Sequence, residues 1–137
     1  MQRNDVVPVV FDASALLATV LDEPVDEVVF AAIREGTLMS AINIAEVVAR
    51  LMRNGAPLAH VRDVADMTNV AVVPVTEELA IRTGELESST RALGLSLADR
   101  CCLATAEAFD ARIFTTDRSW LDLPAPWRHR VVCVRPD

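Results

Sequence analysis

Four acidic residues stand where short apolar stretches hand the chain on to helical ones: Asp12 after VVPVVF, Glu46 in SAINIAE, Asp99 in LSLADR and Asp117 after IFTT. A single carboxylate at such a place is a helix cap, because its oxygens accept from the free N–H groups of the first turn. Asn43, three residues before Glu46, and Ser96, three before Asp99, also give each pair the spacing of a capping box. Gathered in one place, the same groups do different chemistry. At ~4 Å and an effective dielectric of about 20, each like-charged pair costs on the order of 4 kcal/mol, enough to raise a pKa or to splay the site apart. A divalent cation removes that cost. Mg²⁺, or Mn²⁺ in its place, prefers hard oxygen ligands, takes few carboxylates and keeps several waters, leaving room for a phosphate oxygen and an attacking water. The chemistry open to such a set is metal-assisted phosphodiester hydrolysis.

Residues so far apart in sequence meet only if the fold carries them to a common edge. The apolar run that starts at Val6 predicts a buried strand over Val7 to Phe11, with Pro8 near its beginning. Further strands are expected at Leu38 and Met39, Val70 to Val75, Arg112 to Thr115 and Val131 to Val134. Between them the pattern predicts helices over Ser14 to Leu21, Pro24 to Gly36, Asn43 to Arg53 and Pro57 to Thr68. Two more are expected from Thr76 to Leu93 and from Ser96 to Phe109. Strands alternating with helices predict an α/β fold, a central parallel sheet of about five strands with helices on both faces. In such a sheet the residues just past the strand ends line one rim, and ligands bind there. Asp12 and Asp117 each follow a strand directly, and Glu46 and Asp99 are expected in first helical turns rising from the same rim.

Composition narrows the alternatives. The chain has 137 residues, which suits one domain over 1–137, and a net charge of −7, which disfavours a protein that holds nucleic acid through bulk positive charge. All 13 basic residues are arginine, so a Walker A loop and Schiff-base chemistry, both of which need lysine, are excluded. No stretch approaches the ~20 apolar residues of a membrane span, and Met1 does not open a secretion signal, so a cytoplasmic protein is expected. The three cysteines include the adjacent pair Cys101 and Cys102, no disulfide framework, and are expected in the core. No G-x-S-x-G elbow supports Ser14 as a nucleophile, and no G-x-G-x-x-G supports dinucleotide binding.

The stretches DASALLA (12–18), SAINIAE (40–46), LSLADRCCLATA (95–106) and FTTDRSW (114–120) resemble, in order and spacing, the PIN domain family of metal-dependent ribonucleases, and most closely its VapC toxin branch. The resemblance implies that Asp12, Glu46, Asp99 and Asp117 form an acidic pocket for Mg²⁺ or Mn²⁺. It implies that Ser14, Asn43 and Thr115 or Thr116 shape that pocket through hydrogen bonds. The further acid that some relatives carry two positions after the last aspartate is Ser119 here. An RNA substrate, a cognate antitoxin protein and a homodimer are implied as partners.

Arg100 and Arg118 are candidate substrate contacts, and Arg112, Arg128 and Arg130 are candidates for phosphate contacts near the rim, with Trp120 or Trp127 available to stack on a base. Against this, charges on helices usually face solvent and tryptophans usually pack in cores or interfaces. The rival reading is non-enzymatic: the same fold serving as a partner-binding scaffold around a vestigial pocket.

Overall fold

The computed structural model describes residues 7–137, so Met1 to Val6, including the start of the apolar run at Val6, lie outside the described residues. Five strands, β1 (Val9–Phe11), β2 (Thr37–Ser40), β3 (Val70–Val73), β4 (Arg112–Thr115) and β5 (Val131–Cys133), form one parallel sheet in the order β3-β2-β1-β4-β5. This is the expected α/β architecture. The order reverses between β1 and β4, which makes their carboxyl ends the topological switch point of the sheet. Phe11 is in register with Phe114, and their rings stack with centroids 5.9 Å apart.

Among the described residues, eight α-helices accompany the strands: α1 (Ala13–Val20), α2 (Val28–Glu35), α3 (Ala41–Arg53), α4 (Leu58–Arg62), α5 (Val64–Met67), α6 (Glu77–Glu85), α7 (Glu87–Thr90) and α8 (Leu97–Phe109). Strand side chains alternate between the two faces. Val9, Phe11 and Phe114 pack with Leu16, Val29, Val47 and Leu51 on one side, while Val10 and Ile113 pack with Cys102, Leu103, Leu79 and Trp120 on the other. Cys101 and Cys102 are buried as expected. No helix among the described residues is long and apolar enough to cross a membrane.

Several expected boundaries shift for local reasons. β1 starts at Val9 instead of Val7, although the Pro8 carbonyl still accepts from the Arg112 N–H at 2.9 Å. The helix expected from Pro24 starts at Val28, because the Asp26 N–H is drawn to the Val134 carbonyl at 2.9 Å. The segment expected as one helix over Pro57 to Thr68 breaks at Asp63. The one expected over Thr76 to Leu93 is divided at Leu86 and ends in a 3₁₀ turn, Arg91–Leu93, closed by Gly94 in the left-handed region at φ 65°. Helix α3 begins before Asn43: Ser40 is its cap, accepting from the Asn43 N–H at 3.1 Å. Asn43 and Glu46 therefore do not form a capping box, and Glu46 sits in the second turn.

Candidate active site at the β1–β4 switch point

Asp12 continues the β1 ladder by one bond, its N–H donating to the Phe114 carbonyl at 3.1 Å, and then caps α1 through its side chain. That double duty fixes the carboxylate at the rim and buries it to 5% exposure. Oδ1 accepts from the Ala15 N–H at 2.9 Å and the Ser14 hydroxyl at 2.7 Å, and Oδ2 accepts from the Thr115 hydroxyl at 2.6 Å. The same hydroxyls bind the strand opposite: Ser14 Oγ accepts from the Thr116 N–H at 2.9 Å, and Thr115 Oγ1 from the Asp117 N–H at 3.0 Å. The start of α1 and the loop after β4 are thus held together through two hydroxyls and one carboxylate.

Burial pushes the Asp12 pKa up from 3.8 to about 6, against the lowering effect of the Thr115, Ser14 and Ala15 hydrogen bonds, and the charge of Asp99 adds to the rise. The Glu46 pKa is also raised, by burial first and by Asp99 as well, with the Asn43 hydrogen bond opposing. Cys102 lies beneath them on α8. Burial pushes its thiol pKa well up, and Asp12, Asp99 and Glu46 all push in the same direction. The charge of Asp99 thus adds to the rise at both Asp12 and Glu46.

Asn43, 1% exposed, joins the two helices that carry the other acids. Its side-chain amide donates to Glu46 Oε1 at 3.0 Å and to the Ala98 carbonyl at 3.1 Å, while its own oxygen accepts from the Ser40 hydroxyl. Asp99 completes a capping box with Ser96: Oδ2 accepts from the Ser96 N–H at 3.0 Å, and the Asp99 N–H donates to Ser96 Oγ at 3.1 Å. Asp117 is exposed and caps the 3₁₀ turn Arg118–Asp122, with Oδ1 accepting from the Ser119 N–H at 2.9 Å and the Ser119 hydroxyl at 2.7 Å. Capping and site geometry are therefore compatible, because each cap uses one oxygen. Glu46 Oε2, Asp99 Oδ1 and Asp117 Oδ2 take no hydrogen bond among the described residues.

The donor set is all oxygen and suits a hard cation that keeps most of its water. Among the described residues, no three His, Cys, Asp or Glu side chains already close on one point as a cage for a metal.

The cationic candidates separate. Arg118 stands at the rim beside Asp117, with Nη2 donating to the Pro136 carbonyl at 3.0 Å and to Asp137 Oδ1 at 3.3 Å. Arg100 is half-buried, its charge felt at Glu87 on the α7 side, and its Nε is without a partner among the described residues. Arg112, Arg128 and Arg130 are not near the rim as expected: Arg112 opens β4 and the other two immediately precede β5, so all three lie at the amino edge of a parallel sheet, opposite the acids. Trp120 and Trp127 are buried, and Trp127 Nε1 donates to Glu107 Oε2 at 2.9 Å, so neither ring is presented for stacking at this site. Sequence reasoning missed Ser40 and the Ala98 carbonyl. The S-x-x-N spacing before the helix signalled the first; the second is a backbone atom 55 residues from its partner.

The fold is shared with solved structures of low sequence identity. VapC20, a sarcin–ricin loop cleaving toxin of Mycobacterium tuberculosis, superposes with a TM-score of 0.69 at 18% identity, covering 93% of this chain and 99% of that one. A toxin–antitoxin complex from Klebsiella pneumoniae matches at 0.60 and 18%, covering 90% and 95%. VapBC-1 from nontypeable Haemophilus influenzae matches at 0.63 and 16%, covering 84% and 93%. None of the curated protein sequences compared with the chain matches it. The PIN domain model, by contrast, matches residues 9–125, a span that runs from the first strand past Asp117, and the chain belongs to the PIN domain family.

Proposed function

We propose that this chain is a metal-dependent ribonuclease acting as the toxin of a toxin–antitoxin pair. The observation that supports it most directly is the grouping of Asp12, Glu46 and Asp99 at the switch point, with the pKa of Asp12 raised to about 6 and that of Glu46 raised too, which a cation would relieve. Asp12, Glu46, Asp99 and Asp117 would hold Mg²⁺ or Mn²⁺, directly or through water, the last three by oxygens that take no hydrogen bond among the described residues. When bound, the ion supplies Lewis-acid activation of a water and neutralises charge on the phosphate. Ser14 and Thr115 keep the Asp12 carboxylate from rotating, and Asn43 sets Glu46 against the helix that carries Asp99. Arg118, beside Asp117, is a candidate contact for the substrate backbone, and Arg100 a weaker one.

Support for a protein partner comes from the Klebsiella pneumoniae toxin–antitoxin complex among the similar structures. An apolar groove of about 360 Å³ lined by Val20, Leu21, Leu51, Val61, Val64 and Met67 is of a kind that suits an amphipathic segment. A cytoplasmic location and a homodimer remain part of this reading. Incubating the purified chain with RNA in Mg²⁺, with and without EDTA, tests it. Cleavage that EDTA stops and that Asp12→Asn and Asp99→Asn abolish is expected; a chain inactive on every RNA, or one whose variants cut at the parent rate, would leave the scaffold reading in its place.

A further inference from the structure

The arginines that the fold withholds from the acidic rim are not scattered. At the amino edge of the sheet, Val7, Pro8, Phe109, Arg112, Pro126, His129 and Arg130 line a cleft of about 610 Å³, and exposed Arg128 flanks it in the turn before β5. One cation there has a structural task. Arg130 Nη1 donates to Asp110 Oδ1 at 2.9 Å and to the Ala111 carbonyl at 3.2 Å, which neutralises the one acid among the described residues of the cleft, at the carboxyl end of α8. Arg112 and Arg128 take part in no side-chain hydrogen bond or ion pair with the described residues, and the Arg112 guanidinium lies over the Phe114 ring, 5.9 Å from its centroid, which leaves its N–H groups without an acceptor. Phe109, 44% exposed at the end of α8, lines the same cleft as Arg112. In a chain of net charge −7, two guanidinium groups with no acidic partner among the described residues, near an open aromatic ring, form a locally cationic, stacking surface.

We infer that this amino-edge cleft is a second RNA-binding subsite, in which Arg112 and Arg128 take backbone phosphates and Phe109 stacks on a base of the strand whose cleavage is proposed above. The inference rests on the nuclease reading for the identity of the strand. Guanidinium groups bind phosphate oxygens bidentately, and an aromatic face accepts any base, so the subsite holds single-stranded RNA with little sequence preference. Its position fits: along the outside of the sheet α8 runs from Asp99 at the rim to Phe109 at the cleft, roughly 15 Å at about 1.5 Å per residue, so a strand cut at the carboxyl rim reaches the amino edge within a few nucleotides.

The test is binding, measured without cleavage. In an Asp12→Asn background, anisotropy of a labelled single-stranded RNA long enough to span both edges is followed across salt concentrations. The pair Arg112→Gln and Arg128→Gln is expected to weaken binding roughly tenfold and to lower the salt slope by about 1.4, the value for two phosphate contacts on a single strand. Phe109→Ala is expected to weaken it by a similar factor with the slope kept. Arg62→Gln with Arg91→Gln, exposed arginines on α4 and on the 3₁₀ turn before α8, removes equal charge and is expected to change little. An unchanged affinity and slope in the amino-edge pair, or an equal loss in the control pair, overturns the subsite. So does a pair that keeps its RNA affinity and loses affinity for polyglutamate, which would assign the cleft to an acidic protein segment. Failure here while the parent still cuts RNA removes the subsite alone; a parent that cuts no RNA removes the nuclease reading, whatever the binding shows.

Discussion

The hydroxyl of Thr115 donates to Oδ2 of Asp12 at 2.6 Å, joining residues 103 positions apart in the chain. Both are buried, and the same hydroxyl accepts from the Asp117 N–H, so one atom ties the carboxylate of the first strand to the backbone that carries the last acid.

Thr115→Val keeps the shape and removes the hydroxyl. The variant is expected to lose about 1–3 kcal/mol of stability, because a buried carboxylate oxygen and the partly buried Asp117 N–H both lose their partner. Metal affinity or cleavage should fall about 10- to 100-fold, the usual cost of removing a group that orients a ligand. Thr115→Ser should restore most of the activity. Cleavage by the valine variant at the parent rate would show that the bond is structural only.

Asp12→Asn has an effect on stability with a definite sign. The folded carboxyl has a pKa of about 6 against 3.8 ordinarily, so between these values the native state holds more protons than the unfolded one. Stability in metal-free buffer therefore falls as pH rises through that window, and the penalty is complete above about pH 6. Its size is on the order of 3 kcal/mol at most. The thermal midpoint of the parent in EDTA should rise on going from pH 7 to pH 5 relative to that of the Asn variant, and the variant should be the more stable at pH 7. A difference between the two that does not change with pH would refute the assignment.

Asn43→Ala removes the amide that spans Glu46 and the Ala98 carbonyl. Its Mn²⁺ dissociation constant is expected to rise by about tenfold or more, beyond any change in thermal midpoint, because α3 and α8 no longer share a fixed contact beside their acids. Equal Mn²⁺ affinities in variant and parent would remove Asn43 from the site.

Away from the acids, Glu107 accepts from Arg82 Nε at 2.8 Å, Arg82 Nη2 at 3.0 Å and Trp127 Nε1 at 2.9 Å, clamping α6, α8 and the turn Trp127–Arg130. The Arg82 hydrogen bond, foremost, holds the Glu107 pKa below its ordinary value, so this contribution is present above about pH 4.5 and is lost as pH falls through the folded value. Glu107→Gln is expected to cost about 1 kcal/mol at neutral pH, discounted for partial exposure, with RNA cleavage unchanged. A matching loss of cleavage at a temperature where the variant is folded would contradict that separation.

The alternation of strand and helix and the placement of Asp12 and Asp117 after strands were legible because both rest on local pattern: apolar runs of limited length, each ended by a capping residue. Topology then fixed which edge they share. Asn43 is a good cap and predicts Glu46 in a first turn; Ser40, three residues earlier, is the better one, as its hydroxyl fits the free N–H of Asn43 and releases the amide for a tertiary contact. The arginines were misplaced for a different reason. Charge has no periodicity to follow, so Arg112 and Arg130 looked equivalent to Arg118 until strand direction put the first two at the opposite edge. The breaks at Asp63 and Leu86 depend on how short helices dock on the sheet, which propensity does not encode.

The most direct test of the central claim is calorimetric titration of Mn²⁺ into the EDTA-stripped parent and into Asp12→Asn and Asp99→Asn at pH 7.5. The account predicts saturable binding to the parent that weakens at least about tenfold in each variant. A parent that binds no Mn²⁺ at millimolar concentration, or variants that bind it as tightly as the parent, would contradict the proposal that these carboxylates share a cation.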